Sequence, residues 1–319
     1  VAQFGTWQVK RLFTNTGRWW NQTINENTPG VVTMNVGTYN TLLGKSYSEI
    51  AAESRTQHKS QGFGSPGRRG DAPEYFEFVK GESAQKDILE GVNITWSRVK
   101  GGDKVQPLVE KAIREFNVDN PSALVPQLLQ IRKQIELLDA SIWKTRKMAD
   151  VNSLIQGCLG LFAEVTTDNY WVTPTERVTA SFELLNRSAV EVQLSGIKSS
   201  DLSMDTVVSA TLKNNVPFTF KSKKAIRSGK DYSDPYWLRL PHSQGLFNVP
   251  DQVNIGKPEN EPSLFVTFNF LINGEPLVVN SPLIYKWTDP VKGELSRPFE
   301  IVPPVFVNLR DKVLVFKDQ

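Results

Sequence analysis

The apolar residues of this chain change period twice, and that change limits its fold more than any other feature. Up to about residue 80 they alternate in short runs, broken by one helical stretch. From Leu108 to Leu159 they recur every three or four positions. From about Phe162 they alternate again. A period of two puts side chains on opposite faces of a strand, whereas 3.6 gathers them on one stripe of a helix. The pattern predicts a mixed, multidomain chain: an α/β fragment, then a helical hairpin or bundle, then a β-sandwich.

Local signals sharpen these zones. Trp7–Phe13 and Val31–Val36 read as strands, and Tyr47–Gln61 reads as a helix. Ser46 and Glu49 have the spacing of a capping box at its start, and Gly62 and Gly64 stop it. Strands beside one helix suggest an α/β unit, but residues 1–80 are too few to complete one. Residues 81–161 read as a helical region. There Leu108, Ala112, Ile113 and Phe116 fall on one face, and Leu124, Leu128, Ile131, Ile135 and Leu138 form a second repeat. Residues 162–300 alternate in runs at Arg177–Leu184, Val190–Leu194 and Leu264–Leu271, with Asn273-Gly274 as a hairpin signal. In residues 301–319, Val305–Leu309 and Lys312–Phe316 look like the opening strands of a further β domain.

Composition excludes several classes. With 8 Trp and 17 Phe, the chain has the material for a core and is not disordered as a whole. One cysteine, Cys158, leaves no disulfide framework, and two histidines make a zinc site built wholly from this chain unpromising. The 37 basic and 34 acidic residues are too balanced to point to nucleic acid. No apolar run approaches the ~20 residues of a membrane-spanning helix. Nucleophile elbows, phosphate loops and dinucleotide glycine fingerprints are missing from the sequence.

Ser54, His58 and Gln61 are spaced to share one face of the predicted helix, and Ile50 extends that face toward the core. His58 then either lines a pocket wall or is a hydrogen-bonded core or interface histidine. Trp19 and Trp20 could form a sugar-stacking platform or an interface pair. Tyr170-Trp171 and Tyr236-Trp237 invite the same thought, but aromatic pairs in a sandwich are expected in its core. The six basic residues between Lys213 and Lys230 read as a solvated loop or a lysine-blunted edge strand.

The run Gly37-Thr38-Tyr39-Asn40-Thr41-Leu42-Leu43-Gly44-Lys45-Ser46, continuing through His58-Lys59-Ser60-Gln61 to Gly64, closely resembles a segment of LmbE/PIG-L-type deacetylases. The long multidomain bacterial forms are the nearest in kind. Lys10–Thr16 resembles the strand before that segment, and Tyr285–Glu294 with Arg297–Glu300 resembles their accessory region. The resemblance implies that residues 1–80 are the C-terminal part of the catalytic domain and 162–300 an accessory domain. It implies a zinc-dependent hydrolase acting on N-acetylglucosaminyl-type or related amides. The family's Ala-His-Pro-Asp-Asp-Glu and His-x-x-His motifs are both missing here. The chain is therefore expected to match the portion after them, with no catalytic residue, metal or cofactor of its own. Its partner would be the N-terminal metal-binding half, in the same protein or a separate chain. His58, Ser54, Gln61, Arg55 and Asn15 become pocket candidates that do not touch the metal. The resemblance also implies an exported, envelope-associated protein. The alternative is a non-catalytic carbohydrate-binding or scaffold module.

Overall fold

The computed structural model describes residues 8–308. The chain is mixed and dominated by strands, and it divides into two compact units, Val1–Ile94 and Thr95–Gln319.

The first unit is built on strands β1 (Arg11–Thr16) and β2 (Val31–Asn35), a small hairpin of β3 (Tyr39–Asn40) and β4 (Lys45–Ser46), helix α1 (Tyr47–Thr56), and strand β5 (Pro73–Gly81). β5 lies between β1 and β2, and both pairings are antiparallel. Among the described residues all strand pairings of this unit are antiparallel, and none forms a parallel βαβ crossover. Its cluster of buried apolar residues is small, comprising Ile24, Val31 and Tyr75.

α1 starts where its capping box places it. The Glu49 amide donates to Ser46 Oγ, and Glu49 Oε2 accepts the Ser46 amide at 2.9 Å. That backbone hydrogen bond is the main cause that holds the Glu49 carboxyl below its ordinary range. A carboxyl lowered by folding stabilises above its unfolded value and loses that contribution as pH falls through the folded one. Acidification is therefore expected to fray the first turn of α1 first, read from amide exchange at Tyr47–Glu49. Uniform exchange along the helix would contradict this.

The second unit begins with helices α2 (Gln106–Glu115), α3 (Val125–Glu136) and α4 (Ile142–Leu159). The predicted repeat Leu124, Leu128, Ile131, Ile135 and Leu138 is buried throughout. The predicted face of α2 is not. Ile113 is 71% exposed and Phe116 51%. Val105, Leu108, Val109 and Ala112 are the residues that pack inward. Phe116 fails because the backbone turns extended there (φ −63°, ψ 124°), one residue past the helix.

The strands that follow are β6 (Phe162–Thr167), β7 (Trp171–Val172), β8 (Arg177–Leu185), β9 (Val192–Ser199), β10 (Met204–Thr211), β11 (Phe218–Ala225), β12 (Phe265–Ile272), β13 (Glu275–Asp289), β14 (Gly293–Pro298) and β15 (Glu300–Ile301). Eight of them form one sheet in the order β10-β9-β12-β13-β6-β8-β11, with β14 also on β13. A sandwich divides into two hydrogen-bonded layers. Here one sheet curls into a half-barrel instead. The 15-residue β13 joins the two wings: its first half pairs with β12, and Leu283–Tyr285 run parallel to β6. Phe182 on β8 stacks on Phe220 at 4.3 Å and meets Phe268 of β12 edge-on at 6.3 Å.

Within the second unit the helices and the sheet share one apolar core, which runs from Val105 to Ile301. β11 ends the sheet and displays Lys221 and Lys223 outward, as a lysine-blunted edge does. Residues 305–308 carry no strand, and the predicted strand at Lys312–Phe316 lies outside the described residues.

Lys286 on β13 ties three strands together. Its Nζ lies 3.1 Å from Glu164 of β6 and 2.8 Å from Glu294 of β14. The Glu294 hydrogen bond is the largest of several causes that raise its pKa. A raised lysine stabilises below its unfolded pKa and loses that contribution as pH rises through the folded one. Lys286→Met is expected to cost about 1–2 kcal/mol at neutral pH, because Glu164 is left half-buried without its partner. Urea unfolding measures this, and an unchanged midpoint would show the ion pair to be fully screened by solvent.

Candidate functional site

The predicted helix Tyr47–Gln61 ends early, at Thr56. The Thr56 hydroxyl bonds back to the Ala52 carbonyl at 2.7 Å and accepts the Ser65 amide at 3.3 Å. That ties the helix end to the incoming loop. Lys59–Gln61 then form a short 3-10 turn closed by Gly62 at φ +68°.

This termination corrects the expectation of a polar trio on a core-facing stripe. Helical spacing no longer applies beyond Thr56, and Ser54, His58 and Gln61 are all exposed. Two of them still meet, since His58 Nδ1 lies 2.7 Å from Gln61 Oε1. With that oxygen as acceptor, Nδ1 carries the proton and Nε2 of a neutral ring keeps its lone pair. Phe63 packs 6.1 Å from the His58 ring, and the Arg55 guanidinium sits 5.3 Å from the Phe63 centroid. Arg55, His58, Gln61 and Phe63 thus form one exposed group around the end of α1. Phe63 belongs to no helical face or motif in the sequence. The signal for it is a large apolar side chain held between two glycines in an exposed loop.

Ser54 and Asn15 do not join this group. The Ser54 carbonyl accepts the Gln57 amide. Asn15 donates to Glu74 Oε2 at 3.0 Å and to the Tyr75 carbonyl at 3.4 Å, and so serves the β1–β5 pairing.

Trp19 and Trp20 sit on a turn closed by the Trp20 amide on the Gly17 carbonyl, and they are 96% and 80% exposed. Tyr170-Trp171 and Tyr236-Trp237 are not core residues, contrary to expectation. Tyr170 and Trp171 are 37% and 39% exposed. Tyr236 and Trp237 are half-buried, with the Tyr236 hydroxyl on the Lys257 carbonyl at 2.9 Å. Phe182, Phe268 and Phe270 fill the core, and these four stand outside it, with Trp171 on the short strand β7 and Tyr236 and Trp237 on a single 3-10 turn.

Among the described residues no three or more His, Cys, Asp or Glu side chains are gathered so as to hold a metal ion. As placed, the described residues offer no ligand set for a zinc ion. Nor is any helix among them long and apolar enough to cross a membrane.

No protein-family profile matches the sequence, and no curated protein does. Among solved structures, the chain is similar to the Pseudomonas fluorescens alkylpurine DNA glycosylase AlkC bound to DNA containing an abasic site analog. Identity is 10%, the match covers 53% of this chain and 48% of that one, and the TM-score is 0.18. The chain thus matches about half the length of that enzyme, and a similarity so low carries no argument about fold or function.

Proposed function

We propose that this chain is the portion of a zinc-dependent N-deacetylase that follows its metal-binding half, acting on N-acetylglucosaminyl-type or related amides. On this reading the metal and its ligands come from the N-terminal half, in the same protein or a separate chain. The observation that supports it is the surface of the first unit. Trp19, Trp20, Leu42, Leu43 and Phe63 are exposed, and among the described residues the buried cluster of this unit comprises Ile24, Val31 and Tyr75. Apolar side chains left uncovered in such number mark a surface that another body covers. His58, with Nε2 directed away from its Gln61 bond, then stands at the edge of a shared pocket as a positioning residue. On this reading the whole protein is exported and belongs to the cell envelope.

In the protein carrying both halves, His58→Ala is expected to lower turnover by about 10–100-fold with zinc content retained. Turnover on an N-acetylglucosamine oligomer and metal analysis of the same sample measure the two. Loss of zinc would make His58 a ligand, and unchanged turnover would remove it from the pocket.

A second reading, a non-catalytic saccharide-binding or scaffold module, is favoured by one feature: the uncovered faces of Trp19 and Trp20. If it holds, Trp19→Ser with Trp20→Ser abolishes glycan binding by this chain alone. If the deacetylase reading holds, the same pair of changes weakens docking of the metal-binding half.

A further inference from the structure

Two adjoining hollows open on the second unit beside β7 and β15, of about 620 Å³ and 210 Å³. Ser233 and Glu300 line both, so the two hollows share a wall at those residues. Trp171 stands in the larger and Trp237 in the smaller, both outside the core. Five carboxylates line the pair of hollows against one cation, Arg297, which lies over the Tyr170 ring at 3.9 Å. Glu261 is matched by Lys257 at 2.8 Å. The other four, Glu176, Asp234, Glu259 and Glu300, make no ion pair among the described residues.

The backbone along this floor is already spent. The amides of Glu300, Ile301 and Val302 donate to the Tyr170 carbonyl, Ser233 Oγ and the Val172 carbonyl, at 2.8 to 2.9 Å. The Ile301 carbonyl accepts the Ser233 amide. β15 is thus bonded on both sides, to β7 and to Ser233, so a peptide cannot extend it and recognition there falls to side chains. Aromatic faces suit the C–H face of a pyranose ring, and unpaired carboxylates suit an ammonium group.

We propose that these hollows form a binding groove for a cationic amino-sugar oligosaccharide, one bearing free rather than acetylated amines. The inference rests on the amino-sugar reading above only for the class of ligand, because N-deacetylation turns a neutral amide into such an amine.

The test is calorimetric titration of this chain with a glucosamine pentamer, an N-acetylglucosamine pentamer and pentalysine. The glucosamine pentamer should bind at least tenfold more tightly than either competitor. Asp234→Asn with Glu300→Gln, and separately Trp237→Ala, should each weaken it by tenfold or more while the thermal midpoint stays that of the parent. Val291→Ser, an exposed change outside both hollows, should leave it unchanged. Equal affinity for the two sugars, equal affinity for pentalysine, indifference to the groove variants, or loss in the Val291→Ser variant would each overturn the proposal. The assay needs no metal-binding half and no turnover. Its failure is therefore distinct from failure of the deacetylase reading, which the His58→Ala turnover measures.

Discussion

Phe182→Ala should lower the stability of the second unit by about 3–5 kcal/mol, read as a fall in the urea midpoint at unchanged slope. Phe182 is almost wholly buried on β8. Its ring stacks face to face on Phe220 of β11, 6° from parallel, and meets Phe268 of β12 at 86°. β8 and β12 stand in opposite wings of the curled sheet, with β13 and β6 between them. Removing the ring takes away transfer free energy and leaves a cavity between wings that share a sheet and cannot collapse freely. Phe182→Leu should cost markedly less. Phe265→Ala on β12 should cost least, because that side chain is exposed at the strand's start. A small effect of Phe182→Ala would mean that the wings are not closed over this residue.

Gly37→Ala is expected to destabilise the first unit by about 1–3 kcal/mol, the range for forcing atoms into a filled site. A Cβ at Gly37 would lie 1.9 Å from the Gly70 carbonyl oxygen and 2.8 Å from the Ala72 nitrogen. Both atoms belong to backbone that is held in place. Asn35 Oδ1 accepts the amides of Gly37 and Ala72 at 2.9 and 3.0 Å, and Val36 donates to the Ala72 carbonyl at 2.9 Å. Asn35 Nδ2 also reaches Asp71 at 2.7 Å. No flexible side chain is available to move aside, so the loop before β5 must shift as a body. Amide exchange at Val36 and Ala72 should rise with the loss of stability. Gly64→Ala, in the same segment, meets nothing within 4 Å and should be neutral. If the two variants behave alike, the close approach at Gly37 is not what holds this loop.

Much of the local structure was legible because its causes are local. The Ser46–Glu49 capping box needs four residues, and it forms. Asn273 and Gly274 take positive φ (+48° and +83°) and turn β12 into β13, as the pair predicts. The 3–4 repeat of α3 buries the residues it names. The candidate site was legible only in part. The spacing predicts one helical face for Ser54, His58 and Gln61, and in the structure only His58 and Gln61 meet. A helical face was expected to join them, and a 3-10 turn after the helix does so. Asn15 carries no trace in sequence of its bond to Glu74, 59 residues away.

The sequence by itself determined the order of strand-rich, helical and strand-rich zones, the caps and turns, and the inward stripe of α3. Each follows from side-chain period and backbone sterics within a few residues. Only the tertiary structure decided the antiparallel first sheet, the curl of the second, and the common core of helices and strands. It also decided which aromatics stay outside that core. Those outcomes rest on pairings such as β6 with β13, in which Val165 meets Leu283 across more than a hundred residues. A local pattern says that a residue has an apolar face, but the partner that covers that face is chosen by the whole chain packing to density.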